Sequence, residues 1–451
     1  MVSTAHEAPK TTLNGHGLVR AQAKSVRVCH LGKYYPPAPG GIEHHVQTLA
    51  RAQASLGATV NVLCVNHADR HGRDMTWRRY GSTPTVHERD GDIRLTRVGR
   101  SACIAKFDLC PDLLGELARI DEEGLDVFHL HAPNPTMLLA LAAVRPSTPI
   151  FITHHSDIIR QRYLKYLIRP FEHMVYRRAA QIGQTSPEYL AGSDMLRHYE
   201  SRVQSLPLGV DLSGYLKPNL AAQRHARLLR EKHGQPLWLA VGRCVYYKGL
   251  HTAVRALPLV PGTLLIIGNG PLEGELRKLS VQLGVADRVK WISYASEDEL
   301  CGAYHAATAL WFPSTARSEG FGLVQVEAMA SGCPVINTDI AGSGVPWVSP
   351  HEETGLTIEV DDFQGLAKAA RRLLDEPDLR QRLAANARDR ACEEFDHLLM
   401  GMRSIDMYLK MGRPSASPGP VPTRVLQPVN LQVSANKVTP GVPEPHLTLA
   451  R

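Results

Sequence analysis

Twice in this chain a short apolar run leads through a glycine-bearing loop into an amphipathic helical stretch and on to another apolar run. In the first pass the apolar run is 26–31, Gly40-Gly41 opens a helix over 42–56, Gly57 ends it, and 59–65 is the next strand. Further strands are predicted at 126–131, 149–153 and 180–185. Uninterrupted apolar strands alternating with helices are the pattern of a parallel sheet buried on both faces. At 206–211 the chain reads Leu-Pro-Leu-Gly-Val-Asp, a natural junction. After a helical spacer the alternation restarts, with strands at 237–241, 263–267, 289–292, 310–313 and 334–337. Helices are predicted between them at 249–257, 273–283 and 297–307. Two such series imply two doubly wound α/β domains facing each other across a cleft, the edge where these sheets bind ligands. With 451 residues and 43% hydrophobic content, the chain can bury two cores.

The predicted organisation is a disordered lead (1–24), an N-terminal Rossmann-like domain (25–210), and a C-terminal one (211–395). A terminal helix (396–411) and a disordered Pro-rich tail (412–451) follow. The eight cysteines form no Cys-x-x-Cys pair and no zinc spacing, which reads as a reducing compartment without a disulfide framework. The lead lacks an apolar signal core, and the apolar run 137–144 is too short to span a bilayer. The net charge of +7 lies mostly in residues 1–220, with 26 basic and 20 acidic side chains. Such an excess suits nucleic acid, an anionic membrane or a phosphorylated substrate, and a merely solvated surface accounts for it equally.

Between the last two predicted strands lies Arg317-Ser318-Glu319-Gly320-Phe321-Gly322-Leu323, with Glu327 following in a helical pattern. One carboxylate falls in a loop, the other about a turn into the helix, and the helix amino end lies between them. Free amides there suit a phosphate, and ionised carboxylates suit the paired hydroxyls of a sugar. A diphosphate with a sugar at each end, a nucleotide sugar, fits that order. After strand 237–241 the chain reads Gly242-Arg243-Cys244-Val245-Tyr246-Tyr247-Lys248-Gly249. Two cations near a helix start are unfavourable unless an anion binds beside them, so Arg243 and Lys248 are read as diphosphate ligands. Gly268 in Gly268-Asn269-Gly270 is read as close backbone approach in the same cleft, a structural turn being nearly as good an account.

These motifs resemble the retaining nucleotide-sugar glycosyltransferases of the GT-B fold, the family-4 group, over about residues 26–409. The most specific element is Glu319 and Glu327 at the spacing of the family's E-x7-E motif, with Gly-Phe-Gly after the first Glu. Gly242-Arg243…Lys248-Gly249 matches the diphosphate motif, Gly40-Gly41-Ile42-Glu43 the amino-domain glycine loop, and His129-Leu130-His131-Ala132-Pro133 a strand-end segment. The resemblance implies that Glu327 holds ribose hydroxyls, Glu319 and His131 the transferred sugar, and Arg243 and Lys248 the diphosphate. It implies that Gly40, Gly41 and the amides of Phe321, Gly322 and Leu323 face the phosphates. Ala132 and Asp396 depart from the family's usual residues.

The segments 154–157 and 338–348 resemble bacterial mannosyltransferases of polysaccharide assembly, which favours GDP-mannose. A UDP-hexose donor, or a sugar-nucleotide epimerase of the same fold, are the alternatives. His154, Asp157 and Arg160 are candidates for the acceptor side. Metal binding by His154-His155 is disfavoured because neighbours on an extended chain face opposite ways. No metal and no cofactor is expected, since cations and amides can carry the diphosphate. The Asp90-Gly91-Asp92 triplet reads as a hairpin turn. Residues 157–178 interleave basic and aromatic side chains, the pattern of a helix against an anionic membrane or a phosphorylated acceptor, or of an ordinary solvated helix. The expected partners are a nucleotide sugar, a glycan or lipid-linked acceptor and an anionic membrane surface. The expected location is cytoplasmic, at the membrane face. No nucleic-acid motif is present, and the Gly-x-Gly-x-x-Gly fingerprint of a dehydrogenase is absent after the first strand.

Overall fold

A computed structural model describes residues 23–411 except 77, 105–106 and 158–161. The N-terminal half forms an eight-stranded sheet in the order β10-β9-β8-β7-β1-β2-β4-β3. Its strands are β1 (Arg27–Leu31), β2 (Thr59–Val65), β3 (Val86–Asp90), β4 (Ile93–Val98), β7 (Val127–Ala132), β8 (Ile150–His154), β9 (Ala179–Gln184) and β10 (Val203–Ser205). All neighbouring pairs are parallel except β3–β4. That antiparallel pair turns at Gly91 (φ 58°), the hairpin expected of Asp90-Gly91-Asp92. A separate hairpin joins β5 (Ala102–Ile104) and β6 (Phe107–Leu109).

The C-terminal half forms a wholly parallel six-stranded sheet, β13-β12-β11-β14-β15-β16. Its strands are β11 (Leu237–Val241), β12 (Thr263–Ile267), β13 (Val289–Ile292), β14 (Ala309–Phe312), β15 (Val335–Thr338) and β16 (Gly355–Ile358). Leu237, Leu239, Leu265 and Leu310 pack on one face of this sheet, and Trp238, Ala240, Leu264, Ile266 and Trp311 on the other. The two indoles stack at 5.0 Å between ring centres. Burial on both faces is why these strands read as continuous apolar runs rather than alternating ones.

Each sheet has one point where the chain reverses its direction of growth, between β1 and β7 in the first and between β11 and β14 in the second. Doubly wound folds bind ligands at such switch points. The sequence predicted β1, β2, β7, β8, β9 and β11 to β15 but not β3 to β6, β10 or β16, and it carried no information on strand order.

The last helix, His397–Met411, returns to the N-terminal half and packs on the Gly41–Ser55 helix. The crossover is held by backbone pairing: Val210 N–H donates to Phe395 O (2.9 Å), and His397 N–H to Val210 O (3.0 Å). Main-chain bonding explains why Asp396 serves where the family often has an aromatic. Of the predicted lead (1–24), residues 1–22 lie outside the described residues, whereas Ala23 is ordered and buried in the core; the predicted tail (412–451) also lies outside.

Candidate active site

At the second switch point, the loop after β11 carries Arg243 and Lys248 and the loop after β14 carries Glu319. Their close approach depends on Gly249, whose φ is 60° and where a Cβ would stand 1.8 Å from the Pro313 carbonyl oxygen. Lys248 Nζ pairs with Glu319 Oε2 at 2.6 Å, with side chains 14% and 11% exposed. Lys248 also lies 5.0 Å above the Phe312 ring. Arg243 is exposed at the mouth of the loop. Thus the cation and carboxylate expected to hold different parts of a ligand neutralise each other in the free protein.

Glu319 is anchored from behind, its backbone carbonyl accepting from Ser343 Oγ at 2.5 Å. Gly322, at φ 82°, caps the Leu323–Ala330 helix; a Cβ there would meet the Phe312 ring at 2.6 Å. The loop before it is fixed by buried amides. Gln325 Nε2 donates to Phe321 O (3.0 Å), and Asn337 Nδ2 donates to Gln325 Oε1 (3.0 Å) and Ser349 O (3.0 Å). Phe321 is buried and Leu323 half-buried. Gln325 N–H donates back to Gly322 O at 2.9 Å, and the amides before it have no acceptor within the helix.

Glu327 lies one turn into that helix and accepts from the Tyr304 hydroxyl at 2.7 Å. Burial raises its pKa above the ordinary carboxylate range, while Tyr304, His44 and Lys248 pull it down. Gly268 approaches the Gly242 carbonyl so closely that a Cβ would be 2.2 Å from it. Its glycine is thus required by the backbone of the cation loop.

From the other half, Gly40-Gly41 opens the Gly41–Ser55 helix, with Glu43 in its first turn. Burial raises the Glu43 pKa, and the charges of Lys33, His44 and Arg243 oppose that rise. The glycine loop of the first half and the cation loop of the second thus feel each other's charge.

His131 stands at the end of β7, the first sheet's switch point, but it does not open onto solvent. Its ring is 1% exposed. Nε2 lies 3.0 Å from His30 Nδ1, and Nδ1 lies 3.2 Å from His155 Nε2. Sequence reasoning has the ring facing the cleft directly. The parallel register, which pairs His30 with His129 and His131 with Thr153, fills the space beside it with other imidazoles.

His154 and Asp157 are drawn into a contact between the halves. Asp157 Oδ2 pairs with Arg317 at 2.6 Å, and Oδ1 accepts from Ser193 Oγ (2.8 Å) and lies 3.2 Å from His154 Nε2. Burial alone would raise the Asp157 pKa, but His154, Ser193 and Arg317 bring it down to about 2. His154 is buried, its other nitrogen 2.7 Å from the Tyr176 hydroxyl. The third acceptor-side candidate, Arg160, lies outside the described residues.

Tyr304, Gln325, Asn337 and Arg317 escaped sequence reasoning. Gln325 and Arg317 lie within or beside the paired-Glu motif, so their position was a usable signal. Tyr304 and Asn337 reach the site only through the fold.

Known proteins share this organisation. Residues 39–213 match the model described as Glycosyltransferase Family 4, and residues 223–390 match Glycosyl transferases group 1. The D-rhamnosyltransferase WbpZ of Pseudomonas aeruginosa is 31% identical over 371 residues, covering 82% of this chain and 92% of the relative. The O-antigen chain mannosyltransferase C of Escherichia coli is 27% identical over 387 residues, covering 86% and 98%. HepE of Anabaena, solved in complex with UDP-glucose, superposes with a TM-score of 0.67 at 18% identity, covering 85% and 99%.

Proposed function

This chain belongs to the family-4, group 1 glycosyltransferases of the GT-B fold, which use nucleotide sugars, and from that premise we propose that it transfers mannose from GDP-mannose, with retention, to a lipid-linked glycan. The observation that carries the reading is the Lys248–Glu319 pair at 2.6 Å at the switch point, with Arg243 and Glu327 on the same edge. A donor diphosphate competes for Lys248 and frees Glu319 to accept hydrogen bonds from the sugar. Glu327, held by Tyr304, receives the ribose hydroxyls. Gly40 and Gly41 close the site from the other half.

As the bond from anomeric carbon to phosphate oxygen breaks, its electron pair stays on the diphosphate. Arg243, Lys248 and the first-turn amides around Phe321, Gly322 and Leu323 stabilise that charge. The acceptor oxygen bonds to the anomeric carbon on the face being vacated, and its proton passes to the departing phosphate oxygen. No step of this sequence requires a metal or a cofactor.

Mannose is supported by the relatives: one is a mannosyltransferase, and the other transfers D-rhamnose, which is 6-deoxymannose. The second reading is therefore transfer of D-rhamnose. A lipid-linked acceptor is supported by the mannosyltransferase relative, which acts on the O-antigen chain. A peripheral position at the cytoplasmic membrane face is supported by the Arg162–Arg178 helix, on which Phe171, Arg177 and Arg178 are exposed. Among the described residues, no helix is long and apolar enough to cross a membrane.

The test is incubation with GDP-mannose, GDP-D-rhamnose and UDP-glucose and a lipid-linked acceptor, with the product resolved by NMR. Release of GDP with an α-mannosyl product is expected. A β-linked product, or turnover with UDP-glucose alone, overturns the reading.

A further inference from the structure

Five histidines, His30, His45, His129, His131 and His155, meet at the first switch point, and each is at most 6% exposed. They come from β1, the Gly41–Ser55 helix, β7 and the residue after β8. Burial keeps all five imidazoles neutral, the form that binds metals.

Their hydrogen bonds fix which nitrogens are bare. Ser404 Oγ donates to Gly401 O at 2.7 Å, so toward Gln53 Nε2, 2.8 Å away, it accepts. This turns Gln53 Oε1 toward His30 Nε2 at 2.8 Å, which must carry the proton. His30 Nδ1 is then bare and accepts from His131 Nε2 at 3.0 Å. His131 Nδ1 is left bare, directed at His155 Nε2 at 3.2 Å. His129 offers nothing further, since its nitrogens lie 2.6 Å from the Tyr408 and Thr153 hydroxyls. Tyr408 accepts from Gln53 at 3.0 Å and so donates to His129.

His45 stands apart. Both of its ring nitrogens are buried with no hydrogen-bond partner, though its ring lies 4.8 Å from that of His155 and 5.4 Å from that of His131. Leaving a buried imidazole without a partner is unfavourable. The ligand nitrogens of His45, His131 and His155 all lie within 4.8 Å of one another. A tetrahedral ion with bonds of about 2.0–2.1 Å separates neighbouring nitrogens by about 3.3 Å, close to the 3.2 Å between His131 and His155.

We propose that His45, His131 and His155 form a binding site for a divalent transition-metal ion of the zinc type. His155 turns to its other tautomer to present a bare Nε2, and His45 swings in to complete three ligands. His131 keeps its Nε2 proton on His30, which in turn holds Gln53. A ligand histidine oriented through its second nitrogen is the usual support of such sites. Three imidazoles select zinc-like ions over magnesium or calcium, which take oxygen ligands. Binding of the ion does not depend on the transferase reading.

Equilibrium dialysis of the full untagged chain against Zn²⁺, followed by elemental analysis, tests the proposal. One tight equivalent is expected for wild type and for His45→Cys, which keeps a ligand. Affinity should fall tenfold or more in His45→Ala, a change that breaks no hydrogen bond. His251→Ala, removing a half-exposed histidine far from the cluster, should change nothing. Co²⁺ in place of zinc should give the intense visible bands of a tetrahedral ion. Equal zinc binding by wild type and His45→Ala, or a Co²⁺ spectrum like that of the hydrated ion, overturns the proposal.

Discussion

Breaking the Lys248–Glu319 pair should cost stability and catalysis in separable ways. Both side chains are nearly buried, at 14% and 11% exposure, and the contact is 2.6 Å. A charge-assisted hydrogen bond of this kind is worth roughly 1.5–3 kcal/mol, and removing one partner also strands the other charge. Glu319→Gln and Lys248→Met should therefore each lower the urea-derived unfolding free energy by about 2–3 kcal/mol. The double variant should lose less than their sum by about 1.5 kcal/mol or more, because the two side chains share one interaction. In initial-rate assays with the donor varied, each single variant should lose about one to two powers of ten in kcat/KM, since each also loses its own contact to the donor. The two losses should come closer to additive for catalysis than for stability, because in the complex the two side chains bind different parts of the ligand. Additive stability effects would refute the pair as a real interaction. Near-normal kcat/KM in either single variant would refute its role in donor binding.

Asp157→Asn should remove about 2 kcal/mol of stability at pH 6, the value of a carboxyl brought down from 3.8 to about 2. Because the folded-state pKa is the lower one, that stability is present above pH 4 and disappears as pH falls toward 2. Urea titrations of variant and wild type should therefore converge there. Tyr304→Phe should raise the donor KM about 5- to 30-fold, a hydrogen bond of about 1–2 kcal/mol to Glu327 being lost. It should also move the acid limb of the pH profile upward, since the hydroxyl opposes the burial that raises the Glu327 pKa. Gly249→Ala should lower the urea midpoint by the equivalent of about 2 kcal/mol or more, its Cβ meeting the Pro313 carbonyl. Replacing Arg160, Arg162 and Lys165 together should reduce flotation with anionic liposomes, and unchanged flotation would free that helix of a membrane role.

Most of the parallel sheets could be read from the sequence, because strands buried on both faces leave unbroken apolar runs. β2, β11, β12 and β13 fall where the apolar runs predict them. β3 was missed because Val86–Asp90 is mostly exposed and its last four residues are all polar or charged, and β4 because Arg94, Thr96 and Arg97 interrupt its apolar residues. β16 was missed because Gly355–Ile358 is four residues beginning with glycine. The Glu319–Glu327 spacing was legible because loop and helix fix it locally. The pairing of Glu319 with Lys248 was not, since it follows from β11 and β14 being neighbours across a switch point. The histidine cluster shows the same limit more sharply. His154 and His155 do face opposite ways, the one toward Tyr176 and Asp157, the other toward His131 and His45. His155 finds its companions on other strands and a helix, at separations that only the register of β1, β7 and β8 sets.

In the proposed reaction Glu327 and its surroundings hold the nucleotide of a nucleotide sugar. Calorimetric titration of GDP-mannose into wild type and Glu327→Gln addresses it most directly. The expected result is one site per chain in wild type, with affinity about tenfold or more weaker in the variant and unfolding free energy little changed. Equal affinities in the two proteins, or no binding of GDP-mannose by wild type while another nucleotide sugar binds, would contradict it.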